Sequence, residues 1–121
     1  MILGIGNDIL EIERVARMKA SVQNRIFTEE ERRQAGGHAA MLAGDFACKE
    51  AVAKSFGTGF RGFRPDDIEI LRDPLGKPYV MLHGGALEKF QSLHGVKIHL
   101  AISDTKEIVT AMAVLEGNGS V

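Results

Sequence analysis

A chain of 121 residues is the size of one ordinary domain, and its 45% of hydrophobic residues are enough to build a core. A formal net charge of −1 removes any global attraction to nucleic acid or anionic membrane. Nothing in the sequence reads as a membrane span or a secretory leader, and a single cysteine, Cys48, excludes an internal disulfide.

Met1 to Ile5 reads as a short apolar strand that runs into Gly4-Ile5-Gly6-Asn7-Asp8. The glycines permit tight backbone geometry, and Asp8 emerges at the strand end. There it is either a turn or cap residue or a hard oxygen ligand. The third glycine of a dinucleotide fingerprint is missing. Val15, Ala16 and Met18 follow at helical spacing. Arg14 and Arg17, three apart, share a helix face beside Met18. That face is either a solvated charged surface or a basic patch for an acidic protein partner. Thr28 and Glu31 form a capping box that starts a short helix ending near Gly36-Gly37. Its acids, Glu29 to Glu31, read as charges that favour the helix dipole.

Ala39 to Phe56 is rich in alanine, free of proline and bounded by glycines, which predicts a long central helix. At about 100° per residue, Phe46, Ala43, Ala39, Leu42 and Ala53 share one arc. Glu50 falls inside that arc, with Lys54 one turn on. A carboxylate among apolar side chains is costly to ionise without a positive partner. Three readings of Glu50 stay open: a helix pair with Lys54, a buried structural ion pair, or a metal ligand or catalytic base. Asp45 and Lys49 have the spacing of a second surface pair. Cys48 reads as a small buried hydrophobe in a reducing compartment.

Gly57 to Pro65 is a loop whose arginines, Arg61 and Arg64, and backbone amides can hold phosphates. Asp67 to Leu71 and Lys77 to Leu82 read as a hairpin around Asp73-Pro74-Leu75-Gly76. Ala86 to Leu93 is a short helix. Val96 to Ile102 and Ile108 to Leu115 are the last strands, and Gly117 to Val121 is a frayed tail. The fold class is therefore α+β, a small mainly antiparallel sheet packed with a long helix, in one domain over residues 1–121. The four histidines, His38, His83, His94 and His99, show no metal spacing.

Four segments in this order resemble the small bacterial holo-acyl-carrier-protein synthases, a family of 4'-phosphopantetheinyl transferases. They are Gly4 to Arg14; Phe46-Ala47-Cys48-Lys49-Glu50-Ala51 with Lys54 and Gly57-Thr58-Gly59; Asp67 to Ile70 with Gly76-Lys77-Pro78; and Ser103-Asp104. The resemblance implies transfer of 4'-phosphopantetheine from coenzyme A to a serine of apo acyl carrier protein. Adenosine 3',5'-bisphosphate is the other product. It implies Mg²⁺ on Asp8 and Glu50, an ion suited to two carboxylates because it keeps several waters. It implies Lys54 as a phosphate partner, and Glu50, directly or through a water on the metal, as first choice to take the serine proton. Asp8 is second choice. Coenzyme A would be held by Lys54, Gly59, Arg64, Gly76, Lys77, Pro78, Ser103 and Asp104. The carrier protein would dock on Arg14, Arg17 and Met18. A cytoplasmic homotrimer with sites between subunits is expected.

Two positions depart from the family pattern. Asp45 stands where many members carry an arginine, so another cation, Arg61 or Arg64, is expected to serve there. Asp104 stands where members vary between His and Asp, which removes a histidine base. Two alternatives use the same residues: a non-catalytic coenzyme A or nucleotide-binding module, and a Mg²⁺-dependent pyrophosphate hydrolase.

Overall fold

The computed structural model describes residues 1–118. Strand β1 (Ile2–Glu11) leads into three short helices, α1 (Ile12–Ala16), α2 (Ala20–Ile26) and α3 (Glu29–Ala35), and then the long α4 (Ala39–Ser55). A 3-10 turn at Pro65–Asp67 opens the hairpin β2 (Ile68–Arg72) and β3 (Pro78–Leu82). Helix α5 (Gly84–Ser92) and strands β4 (Gly95–Asp104) and β5 (Ile108–Gly117) complete the chain. β1, β5 and β4 form an antiparallel sheet in that spatial order, and β2 and β3 form a second, two-stranded one. The α+β expectation holds. The first strand does not stop at Ile5: pairing with β5 carries it through Asp8↔Ala111 to Glu11↔Ile108. Gly117 still belongs to β5, its N–H donating to Met1 O at 2.9 Å. The rest of the expected frayed tail, residues 119–121, lies outside the described residues. No helix among the described residues is long and apolar enough to cross a membrane.

Strand residues alternate between the two faces of a sheet. The inner face of the three-stranded sheet carries Leu10, Val109, Ala111, Ala113, Leu115 and Ile98, all buried under α4. The outer face carries Ile5, Ile9 and Met112, which are 65%, 65% and 50% exposed. This chain alone leaves an apolar sheet face uncovered.

Helix α4 is buried on nearly every side, because the sheet, α1, α3 and β2 surround it. That overturns the surface pairing expected for Asp45 and Lys49. Lys49 is fully buried and spends its three N–H donors on Glu31 Oε1 at 2.8 Å, Pro65 O at 3.0 Å and Ile68 O at 2.6 Å. Glu31 is buried too; it accepts from Thr28 N at 2.7 Å and Ile70 N at 2.8 Å. It completes the expected capping box, but it is also the anionic centre of a network joining α3, α4 and β2. A buried charge survives only when paired and hydrogen-bonded. Phe27 and Phe46 stack edge-to-face at 6.2 Å beside this network, with Lys49 Nζ 5.8 Å from the Phe27 ring.

Candidate functional site

The first site is assembled by two residues that have no side chain. Gly4, Gly6 and Asp8 are two apart and so point to the same face of β1. A methyl on Gly4 would overlap the Ser55 carbonyl oxygen, and one on Gly6 the Ala51 carbonyl oxygen and Lys54 Cβ. β1 therefore lies directly against the backbone of α4. Each two-residue step along the strand matches one turn back along the helix, from Ser55 to Ala51. The next step brings Asp8 to the turn that carries Glu50. The glycines serve close approach, and Asp8 sits in mid-strand, held by its rung with Ala111, instead of at a strand end.

Lys54 Nζ donates to Asp8 Oδ1 at 3.1 Å and to Asn7 O at 2.8 Å. It does not close a helix pair with Glu50. Burial, and after it the neighbouring Asp8 carboxylate, pushes the half-buried Glu50 carboxyl above its ordinary range; Lys54 and Arg14 pull it back only in part. With Lys54 and Arg14 both at hand the Glu50 carboxyl still stays raised, which leaves room for a further positive charge on this patch. Among the described residues no group of three or more His, Cys, Asp or Glu gathers to hold a metal. The donor set is thus a carboxylate pair. It fits Mg²⁺, which takes one or two protein carboxylates, keeps waters and completes its shell with substrate phosphate. It does not fit an ion needing an all-protein cage.

Beside this patch runs a groove of about 740 Å³ lined by Ile9, Leu10, Arg14, Arg17 and Ile108 with Glu11 and Glu13. Arg14 lies 5.7 Å from the Phe46 ring centroid, and Arg17 is paired to Glu13 at 3.0 Å. α1 ends at Ala16, so the two arginines stay exposed while Met18 packs partly buried against the core. Around the expected patch Glu11 and Glu13 stand among the arginines, and Met18 lies beneath it rather than on it.

The remaining expected ligand residues lie away from this patch. Gly76, Pro78 and Asp104 line a groove of about 430 Å³ with His38, Ala40, Met41, Gly44, Arg72 and Ile102. Lys77 faces the adjoining depression with Lys97 and His99. Ser103 pairs with Thr110 on the outer sheet face, because neighbouring strand residues point oppositely. Gly59 lies in the loop after α4 with a φ of 64°, and Arg64 is exposed and paired to Asp66 at 3.2 Å. Within one chain the expected site residues thus do not gather: Asp8, Glu50 and Lys54 share one patch, Gly76, Pro78 and Asp104 line a second groove, and Lys77, Ser103, Gly59 and Arg64 lie elsewhere. Arg72 was not singled out from sequence. Its signal was Asp45, a buried acid that needs a cation: Arg72 Nη2 donates to Asp45 Oδ1 at 2.9 Å and Nε at 3.3 Å.

Cys48 is buried, and burial pushes its thiol up to about 12, so it is no nucleophile. His83 and His99 bond Glu69 and Glu116 at 3.1 and 2.9 Å.

The family model described as the 4'-phosphopantetheinyl transferase superfamily matches residues 4–113. A protein of Alkaliphilus metalliredigens named holo-acyl-carrier-protein synthase is 48% identical over 120 residues, covering 94% of this chain and 98% of the relative. The crystal structure of the synthase from Neisseria meningitidis superposes with a TM-score of 0.85 at 39% identity, covering 96% of this chain and 99% of that one. The Bacillus anthracis synthase, crystallised in complex with coenzyme A (3',5'-ADP), gives 0.81 at 37% identity over 98% and 99%.

Proposed function

The chain belongs to the 4'-phosphopantetheinyl transferase superfamily, and within it to the holo-acyl-carrier-protein synthases; on that premise we propose that it moves 4'-phosphopantetheine from coenzyme A to a serine of apo acyl carrier protein. The observation that carries this reading is the meeting of Asp8, Glu50 and Lys54 at the β1–α4 contact. The serine oxygen bonds to the pantetheine phosphorus, the diphosphate bridge breaks, and adenosine 3',5'-bisphosphate leaves with the other phosphate. Asp8 and Glu50 would hold Mg²⁺, which when bound neutralises negative charge on the diphosphate oxygens.

The other work is done by side chains. Glu50, its carboxyl made more basic by burial and by Asp8, takes the serine proton. Lys54 is half exposed beside Asp8, where an ammonium can meet a phosphate oxygen as a point charge. Arg14 and Arg17, at the rim of the α1 groove, receive an acidic carrier-protein surface.

The working assembly is a homotrimer of one domain each, residues 1–121, with active sites between copies. Two features support it: the uncovered apolar face bearing Ile5, Ile9 and Met112, and the separation of the other ligand residues from the Asp8 and Glu50 patch within one chain. A cytoplasmic setting, serving fatty acid and lipid synthesis, agrees with the lone reduced Cys48. Incubating the protein with apo carrier protein, coenzyme A and Mg²⁺, then weighing the carrier by mass spectrometry, tests the reading. A mass gain of one phosphopantetheine supports it. Loss of coenzyme A with unmodified carrier would mean a pyrophosphate hydrolase, and no change in either a binding module.

A further inference from the structure

We infer that Arg72, held in place by Asp45 and given room by Gly44, is the cation that recognises the 3'-phosphomonoester of the nucleotide. This rests on coenzyme A being the donor, as proposed above. The geometry is that of an aimed guanidinium. Asp45 is buried and fixed in the interior of α4, and one of its oxygens takes both Nε and Nη2 of Arg72. That leaves Nη1 without a hydrogen-bond partner among the described residues, on a side chain that is 19% exposed and lines the 430 Å³ groove. A surface arginine swings freely; this one has lost its freedom to a buried acid and presents one edge to the cavity. Planar, oriented guanidinium donors suit phosphate oxygens.

Gly44 belongs to the same device. A Cβ there would lie 3.0 Å from Arg72 Nη2 and 3.5 Å from the Ile102 side chain. A side chain here would push the guanidinium aside by a few tenths of an ångström, and the bare backbone leaves it where Asp45 holds it. The floor of the groove adds Gly76, in a left-handed turn with a φ of 88°, and Asp104. Asp104 repels a phosphate and suits a ribose hydroxyl or a base amino group instead, so the phosphate belongs at the Arg72 end.

The choice among the phosphates of coenzyme A follows from position. Its diphosphate is claimed by Asp8, Glu50 and Lys54 in the second half of α4. Gly44 lies six residues before Glu50, about 120° around the helix axis, so the Arg72 groove faces away from that patch and, in the proposed trimer, meets a cofactor whose diphosphate is held by a neighbouring copy. The phosphate left for this groove is the monoester on the ribose.

The test is calorimetric binding of coenzyme A and of 3'-dephospho-coenzyme A to the full chain and to Arg72→Gln and Arg72→Lys, with thermal melts as a folding control. Loss of a charge-assisted contact should weaken coenzyme A about tenfold or more in Arg72→Gln, less in Arg72→Lys, and leave the dephospho compound within about twofold. Should Arg72→Gln fail to fold, Arg72→Lys, which keeps the charge and loses the fork, carries the comparison. Equal loss with both ligands, or loss with neither, overturns the assignment and leaves Arg72 a structural partner of Asp45. Parent protein that binds no coenzyme A at all would instead remove the proposed transferase.

Discussion

Lys49 and Glu50 are neighbours in sequence on one helix, yet their charges live in opposite conditions. Lys49 is fully buried, and each of its three N–H groups is met at 2.6 to 3.0 Å. Burial still pulls its ammonium below the usual lysine range, and Glu31 and Asp45 pull it back. Glu50 is only half-buried, yet it is pushed up by burial and by Asp8, with Lys54 committed to Asp8. The difference separates structure from chemistry. A charge whose hydrogen bonds are all spent inside the protein can do nothing further except hold elements together. A carboxylate left electrostatically short, half-buried beside a second acid, is poised to take a cation or a proton.

The sharpest way to break this contrast is to delete the two half-buried acids at the β1–α4 contact. Asp8→Ala and Glu50→Ala should each lower transfer by about a hundredfold to ten-thousandfold while the melting temperature holds, measured by carrier mass and circular dichroism. Activity within a fewfold of the parent in either variant would remove the carboxylate pair from the mechanism. Lys49→Met should do the reverse. It strands Glu31 in the core and should cost about 3–5 kcal/mol in urea unfolding. The double variant Glu31→Gln/Lys49→Met should recover part of that loss, because the uncompensated charge has gone. A single variant as stable as the parent would mean that the network contributes nothing.

Asp45 offers a smaller, pH-dependent version of the same test. Burial raises its carboxyl from 3.8 to about 7, against the pull of Arg72. The folded chain therefore keeps a proton that the unfolded chain releases near pH 4. Stability from this group is complete below about pH 4 and is lost as pH rises through about 7, by ~1.4 kcal/mol per pH unit at most. Asparagine cannot titrate, so the melting temperature of Asp45→Asn minus that of the parent should climb between pH 4 and 7 and level off above. A difference that stays flat across this window would mean that Asp45 is ionised throughout it.

Why Glu50 was legible and Asp45 and Lys49 were not is a matter of distance along the chain. The resemblance in Gly4 to Asp8 and Phe46 to Glu50 named the acids, and the strand face of Gly4, Gly6 and Asp8 against α4 explains why they meet. Helical spacing reports only the neighbours on one helix. By that measure Asp45 and Lys49 form a surface pair, but their partners, Arg72 and Glu31, are 27 and 18 residues away. The extent of β1 past Asp8 was hidden for the same reason, since it depends on the β5 register. α2 was missed because Lys19 makes no side-chain cap and the helix buries no residue, so neither signal of a helix is present.

Arg14 sits at the border of the two regimes and gives the smallest expected effect. It rests over the Phe46 ring at 5.7 Å, lines the groove beside α1, and is among the charges that draw the Glu50 carboxyl back down. Reversing it in Arg14→Glu acts first on the encounter with an acidic carrier. The Michaelis constant for carrier protein should rise several-fold to about tenfold, and the effect should shrink as salt is added, because rim charges act mainly through screened attraction. The Michaelis constant for coenzyme A should move less. The same change removes a downward pull on Glu50, so the ascending limb of the pH profile should shift upward. Equal changes in both constants, with no salt dependence, would mean that Arg14 supports the fold around Phe46 and does not meet the partner.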